Sequence, residues 1–161
     1  MIWFQKVRIL PDLLVKLYDL PETRPVVDDA ITIRPVMAAE VSLVAEFVET
    51  TFSSGWKDEF LHGAYATPVG SIIATRDGKP IGFACFDASA PGLFGPTGVH
   101  PDARGENIGA ALLFAALDAM KAVGYLYAII GGAGPVEFYE KLAGATVIPD
   151  SDKRYIHDLL R

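Results

Sequence analysis

Val99-His100-Pro101-Asp102-Ala103-Arg104-Gly105-Glu106-Asn107-Ile108-Gly109-Ala110-Ala111-Leu112-Leu113 is the stretch that decides how this chain is read. A Gly-rich extended segment ends at Val99, a short loop holds Arg104 and Gly105, and a helical pattern starts within a few residues. The first turn of a helix has backbone N–H groups without intrahelical partners, and it carries the positive end of the macrodipole. Gly105 and Gly109 bring no side chain to block close approach, and Arg104 adds a permanent cation. Together these predict an anion cradle suited to a diphosphate. It is not a Walker A loop, because no Gly-Lys-Ser/Thr follows. It is not the dinucleotide fingerprint either, since the glycine spacing differs and the preceding strands form a meander rather than a βαβ unit.

Downstream, the pattern predicts a helix from about Glu106 to Val123, with Ile108, Leu112, Ala115, Ala119 and Ala122 on one face and Leu113, Leu117 and Met120 beside it. Gly124 is placed to end it. Tyr125–Ile130 reads as a central strand because its apolar run is nearly continuous. Gly131-Gly132-Ala133-Gly134 reads as a loop, and Pro135 as the first residue of a helix running through Leu142. Thr146–Ile148 and Tyr155–Leu160 are read as further strands.

Upstream, Ile31–Val36 alternates and is β-branched, which predicts a strand. Val41, Val44, Ala45, Val48 and Phe52 share one helical face. Ser53-Ser54-Gly55 breaks that helix, and Trp56–Tyr65 reads as a second, shorter one. Ser71–Arg76 and Ile81–Asp87 read as strands of a hairpin turned by Asp77-Gly78. Leu93–Val99 reads as a bulged strand. Residues 1–28 differ from the rest. Leu10, Leu13, Leu14, Leu17 and Leu20 fall at helical spacing, and Pro21, Pro25 and Asp28-Asp29 read as a connector. This predicts an N-terminal extension (1–28), a helix docked on the domain or on a partner subunit, ahead of a single domain (29–161). A homodimer is among the arrangements it allows.

The 161 residues fit one domain with a proper core, half of them apolar. A net charge of −6 with scattered Lys and Arg argues against nucleic acid as a partner. The single cysteine, Cys85, allows no intrachain disulfide, and no Cys/His spacing resembles a metal site, so no metal is expected. The apolar start at Met1 soon meets Lys6 and Arg8, which does not read as a signal peptide, and no uncharged run is long enough to cross a bilayer. A soluble, cytoplasmic protein without a membrane partner is the expectation.

Arg104-Gly105-Glu106-Asn107-Ile108-Gly109 resembles the Arg/Gln-x-x-Gly-x-Gly/Ala signature of the GNAT superfamily of acetyl-CoA-dependent N-acetyltransferases. Asn107 stands where the inner glycine usually is. Asn tolerates the left-handed region better than other non-glycine residues, and its side chain would either crowd a diphosphate or give it a hydrogen bond. Phe138-Tyr139-Glu140-Lys141-Leu142, then Gly144-Ala145, looks like the family's second signature, with Ala143 inserted and Ala145 replacing an aromatic. The order of elements from Ile31 to about Leu160 also matches.

The resemblance implies an α/β fold, a mixed and mostly antiparallel sheet flanked by helices and splayed between its fourth and fifth strands. It implies acetyl-CoA as acyl donor, with Val99, Arg104, Gly105, Glu106, Asn107, Ile108, Gly109, Ala110 and Phe138 holding it. The Val99 backbone N–H would polarise the thioester carbonyl. Tyr139 would protonate the leaving thiolate, a role that suits a phenol because its pKa lies near that of a thiol. The reaction implied is acetyl transfer to a primary amine of a small molecule, peptide or protein by direct attack. The competing class is an acyl-CoA-binding regulatory domain without turnover.

No carboxylate lies on Leu93–Val99, so His100 and Asp87 are the candidate bases, acting directly or through water, and an amine that loses its proton to solvent needs neither. The asparagine that often ends the family's fifth strand is missing from Gly131–Gly134. Cys85 reads as a small buried hydrophobe. Trp56, Asp58, Glu59, His62 and Tyr65 are placed to line the acceptor pocket, though Asp58 and Glu59 equally suit a solvated first helical turn.

Overall fold

The computed structural model describes residues 10–152. It holds seven strands and four α-helices: β1 (Leu13–Lys16), β2 (Ile31–Pro35), α1 (Val41–Thr51), α2 (Ser54–Ala64), β3 (Ser71–Arg76), β4 (Lys79–Phe86), β5 (Leu93–Val99), α3 (Ile108–Val123), β6 (Tyr127–Ile130), α4 (Val136–Ala143) and β7 (Thr146–Val147). One sheet takes all seven strands in the order β2-β3-β4-β5-β6-β1-β7. The β5–β6 pair is parallel and the other described pairs are antiparallel.

The apolar pattern divides between two faces because strand side chains alternate. Ile72, Ala74, Ala84 and Phe86 point into one core, closed by Ile108, Leu112, Leu117 and Met120 of α3 and by Tyr139 of α4. Ile73, Phe83 and Cys85 point into the other, closed by Val44 and Val48 of α1 and Phe60 of α2. The Asp77-Gly78 turn is made as expected, with φ of 52° and 71°. Gly124 and Gly144 end α3 and α4 in the left-handed region. Pro135 sits one place earlier than expected, as the residue preceding α4 rather than its first. The segment Tyr155–Leu160 lies outside the described residues. Among those described, no helix is long and apolar enough to cross a membrane.

The helix expected between Leu10 and Leu20 is not formed. Leu13–Lys16 is an interior strand, with Leu13 opposite Ile130 of β6 and Val147 of β7. Leu17–Asp19 adds one 3₁₀ turn. The leucines fit a helical period, but Leu13, Val15 and Leu17 also fit a period of two, and all three are fully buried. Pairing on both sides decides for the strand, since a helix would leave the edges of β6 and β7 open. The connector then follows α3. Arg24 grips Asp118 through Nε and Nη2 at 3.0 and 2.8 Å and lies over the Phe114 ring.

The sheet opens in one place. β5 and β6 pair at Leu93↔Ile129 and Phe94↔Ile130, and Gly95–Val99 run on without a β6 partner. β5 also slips register against β4 between Ala84 and Phe86, which turns it away. The expected splay therefore lies between β5 and β6, the fourth and fifth strands when counted from Ile31.

Candidate active site

The Val99 N–H faces this gap. In an antiparallel ladder, successive residues send their N–H groups to opposite sides. The His100 N–H donates to the Ile81 carbonyl at 2.8 Å, toward β4. Val99, paired with Gly82 in the same register, therefore directs its N–H the other way, where β6 has diverged.

A cavity of ≈ 510 Å³ extends from the gap over the start of α3. Val99, Arg104, Gly105, Asn107, Ile108, Gly109, Ala110, Phe138 and Tyr139 line it, so most of the expected binding residues come together. Glu106 is absent from the lining because its carboxylate is drawn to the Arg76 guanidinium of β3 at 2.6 Å. That pair keeps an anion from turning toward the cradle.

Gly105 (φ 83°) and Asn107 (φ 62°) are both left-handed, and they turn the loop so that α3 starts at Ile108, two residues later than expected. Asn107 also lines this cavity. Its side-chain amide donates to the Val26 carbonyl at 3.3 Å, tying the connector to the loop. A Cβ at Gly109 would stand 3.7 Å from Val99 Cγ2, inside the cavity. Arg104 Nε donates to the Val99 carbonyl at 3.3 Å, which lays the guanidinium along the loop.

Tyr139 comes from α4. Its ring is buried, edge-on to Phe94 and Phe138 with centroids 6.3 and 5.1 Å away. Burial raises its pKa, which keeps the phenol protonated at neutral pH. Tyr139 also lines a second cavity of ≈ 310 Å³ on the α2 side, reached through the splay. Phe94, Thr97, Pro135 and Tyr139 belong to both walls, so the two cavities meet there.

Of the residues expected at the acceptor pocket, Trp56 lines this second cavity, whereas Asp58, Glu59, His62 and Tyr65 do not. Glu59 instead accepts a hydrogen bond from the Ser89 hydroxyl at 2.5 Å. Neither candidate base lines either of these two cavities. His100 stacks on Phe47 and accepts the Asp102 N–H at Nδ1, 3.2 Å away, capping the turn after β5. Asp87 lies at the closed end of the splay, where it accepts the Gly92 N–H at 2.7 Å and the Tyr125 hydroxyl at 3.0 Å. Burial, then the bond to Asp87, raises the Tyr125 pKa. Burial pushes the Cys85 thiol up to about 12, which makes it inert. Sequence reasoning missed the walls given by Phe94, Thr97 and Pro135, and the Asp87–Tyr125 pin that closes the splay.

A family model described as acetyltransferase (GNAT) family matches residues 39–145, two-thirds of the chain. The chain belongs to the GNAT acetyltransferase family. Solved structures agree on the fold. The chain resembles a GCN5-related N-acetyltransferase from Sphaerobacter thermophilus (TM-score 0.68, 20% identity, 86% of this chain and 48% of that one). It also resembles a GCN5-related glucosamine N-acetyltransferase region of a fungal multi-domain β-N-acetylglucosaminidase (TM-score 0.68, 16% identity, 86% and 20%). A third is a GNAT family acetyltransferase from Brucella melitensis, solved in complex with acetyl-CoA (TM-score 0.56, 19% identity, 81% and 92%). The chain thus spans about half or less of the first two proteins. No curated protein matches it. For this GNAT chain the splayed β5–β6 gap and the loop at the start of α3 are the places where the family's chemistry is to be sought.

Proposed function

We propose that this GNAT chain is an N-acetyltransferase that moves the acetyl group of acetyl-CoA to a primary amine by direct attack. The observation that carries the reading is the meeting of two cavities at Tyr139, beside a gap into which the Val99 N–H projects. One cavity leads to the left-handed loop and the first turn of α3, whose free N–H groups and Arg104 suit a diphosphate. The other is open to an acceptor.

The amine nitrogen forms its bond to the thioester carbon, and the Val99 N–H stabilises the negative charge that builds on the carbonyl oxygen. The carbon–sulfur bond breaks, and the thiolate takes the Tyr139 proton. Burial raises the phenol, and it raises a thiol in the same apolar space, so the transfer stays near balance. The amine gives up its own proton to water, and solvent restores that of Tyr139.

Calorimetric titration of acetyl-CoA, with dephospho-CoA and ATP as controls, tests the reading, followed by thiol release with an amine supplied. Saturable acetyl-CoA binding with amine-dependent release of free CoA is expected. No acetyl-CoA binding would overturn it. Binding without release for any amine would leave an acyl-CoA-binding module in its place.

A further inference from the structure

The wall of the second cavity says what kind of amine it takes. Trp56 lies on one side, partly exposed, with Leu10, Phe94, Pro96 and Ile130 around it and the Gly131–Gly134 loop at its rim. The indole is held by its neighbours rather than free to swing. Its ring centroid is 5.4 Å from that of Phe52 and 6.0 Å from that of Phe83, and the Phe52 ring in turn lies against β5 at Gly98. Among the described residues the polar side-chain groups in this wall are the Trp56 indole N–H and the hydroxyls of Thr97 and Tyr139. The Thr97 hydroxyl donates to the Phe83 carbonyl at 3.1 Å and so presents lone pairs, not a charge. Among the described residues no carboxylate or imidazole lines this wall.

Resting on the acetyltransferase reading above, we propose that the acceptor is an uncharged arylamine, its ring packed on Trp56 and its nitrogen beside Thr97 at the mouth of the splay. Three properties of the wall favour it over a cationic aliphatic amine. An ammonium entering this pocket would lose its water without gaining a counter-charge from the described residues of its wall. A ring of matching flatness gains the apolar contact and the offset or edge packing that an indole offers. An arylamine nitrogen already carries a lone pair at neutral pH, so attack needs no base, and the described residues of this wall offer none. The attack itself keeps the balance given above: the nitrogen–carbon bond forms, the carbon–sulfur bond breaks, the thiolate takes the Tyr139 proton, and the nitrogen releases its proton to water.

The test uses the full chain with acetyl-CoA and compares 4-methylaniline with spermidine by thiol release, with Trp56→Ala and Trp56→Phe alongside. The expected result is a kcat/KM about tenfold or more in favour of the arylamine. Trp56→Ala is expected to raise the arylamine KM about five- to tenfold with the acetyl-CoA KM unchanged, and Trp56→Phe to recover most of the loss. Preference for spermidine, or an arylamine KM indifferent to Trp56→Ala, overturns the inference and leaves acetyl transfer standing. If neither amine turns over, calorimetry of 4-methylaniline against the CoA-loaded protein decides, and the absence of binding overturns it. Failure of acetyl-CoA itself to bind overturns both readings.

Discussion

Val15→Ala tests the placement of the N-terminal strand. In the helical reading of Leu10–Leu20, Val15 lies off the leucine face, and trimming it would cost little. In the structure Val15 is 0% exposed, opposite Ala128 of β6. The substitution removes two methyl groups worth about 0.8 kcal/mol each in transfer, and the cavity left behind brings the loss to about 2–3 kcal/mol. For a domain of this size that lowers Tm by roughly 5–10 °C. Lys16→Ala, one residue on and pointing to solvent, should change stability by less than about 0.5 kcal/mol. Urea titration of the three proteins, followed by far-UV circular dichroism with a shared m-value, reads both numbers. A Val15→Ala loss below about 0.5 kcal/mol, or equal losses at Val15 and Lys16, would refute the strand, because neither fits strand alternation.

Four further outcomes are expected. Tyr139→Phe should lower kcat by roughly a hundredfold with acetyl-CoA affinity unchanged, measured by thiol release and calorimetry; full activity would remove the acid role. Arg104→Ala should weaken acetyl-CoA binding about three- to tenfold, an effect that shrinks as salt is raised because the guanidinium is exposed. Gly98→Ala would bring a Cβ to 2.6 Å from the Phe52 ring, so a loss of about 1–3 kcal/mol is expected in the same urea assay, along with disturbed Trp56 fluorescence. The Arg34 guanidinium, then the Met37 N–H, hold the Glu40 carboxyl at about 2 against an ordinary 4.5. The stability this contributes is complete above about pH 4.5 and drains away as pH falls toward 2, so Glu40→Gln should flatten that part of an acid titration.

Much of the fold was legible because its signals are local. Asp77-Gly78, Gly124 and the Ala/Leu-rich run from Ile108 each encode a turn, a stop or a face within a few residues, and the structure follows them. The N-terminal strand was not legible for a physical reason. Four residues are too few to separate a period of two from one of 3.6 when leucines fill both patterns. What decides is the β6 and β7 edges more than a hundred residues away, and a window of sequence does not contain them.

The same division runs through the candidate site. The loop Arg104–Gly109 is contiguous, so Arg104, Gly105 and Gly109 could be read in place, and even Asn107 was recognisable as a left-handed position. The second cavity is assembled from Leu10, Trp56, β5 and the Gly131–Gly134 loop, which no spacing rule connects. Its shape depends on groups that touch nothing reactive. Asp12 accepts the Gly132 N–H at 2.8 Å and sets that loop, and the Asp87–Tyr125 pin fixes where β5 and β6 part. Neither Asp12 nor Asp87 lines either cavity, and each accepts hydrogen bonds from backbone or hydroxyl donors instead. On the arylamine reading the acceptor arrives uncharged and needs neither of them. Tyr125→Phe removes one partner of Asp87 and leaves the Gly92 N–H, so it should weaken the closed end of the splay without supplying a base to either cavity.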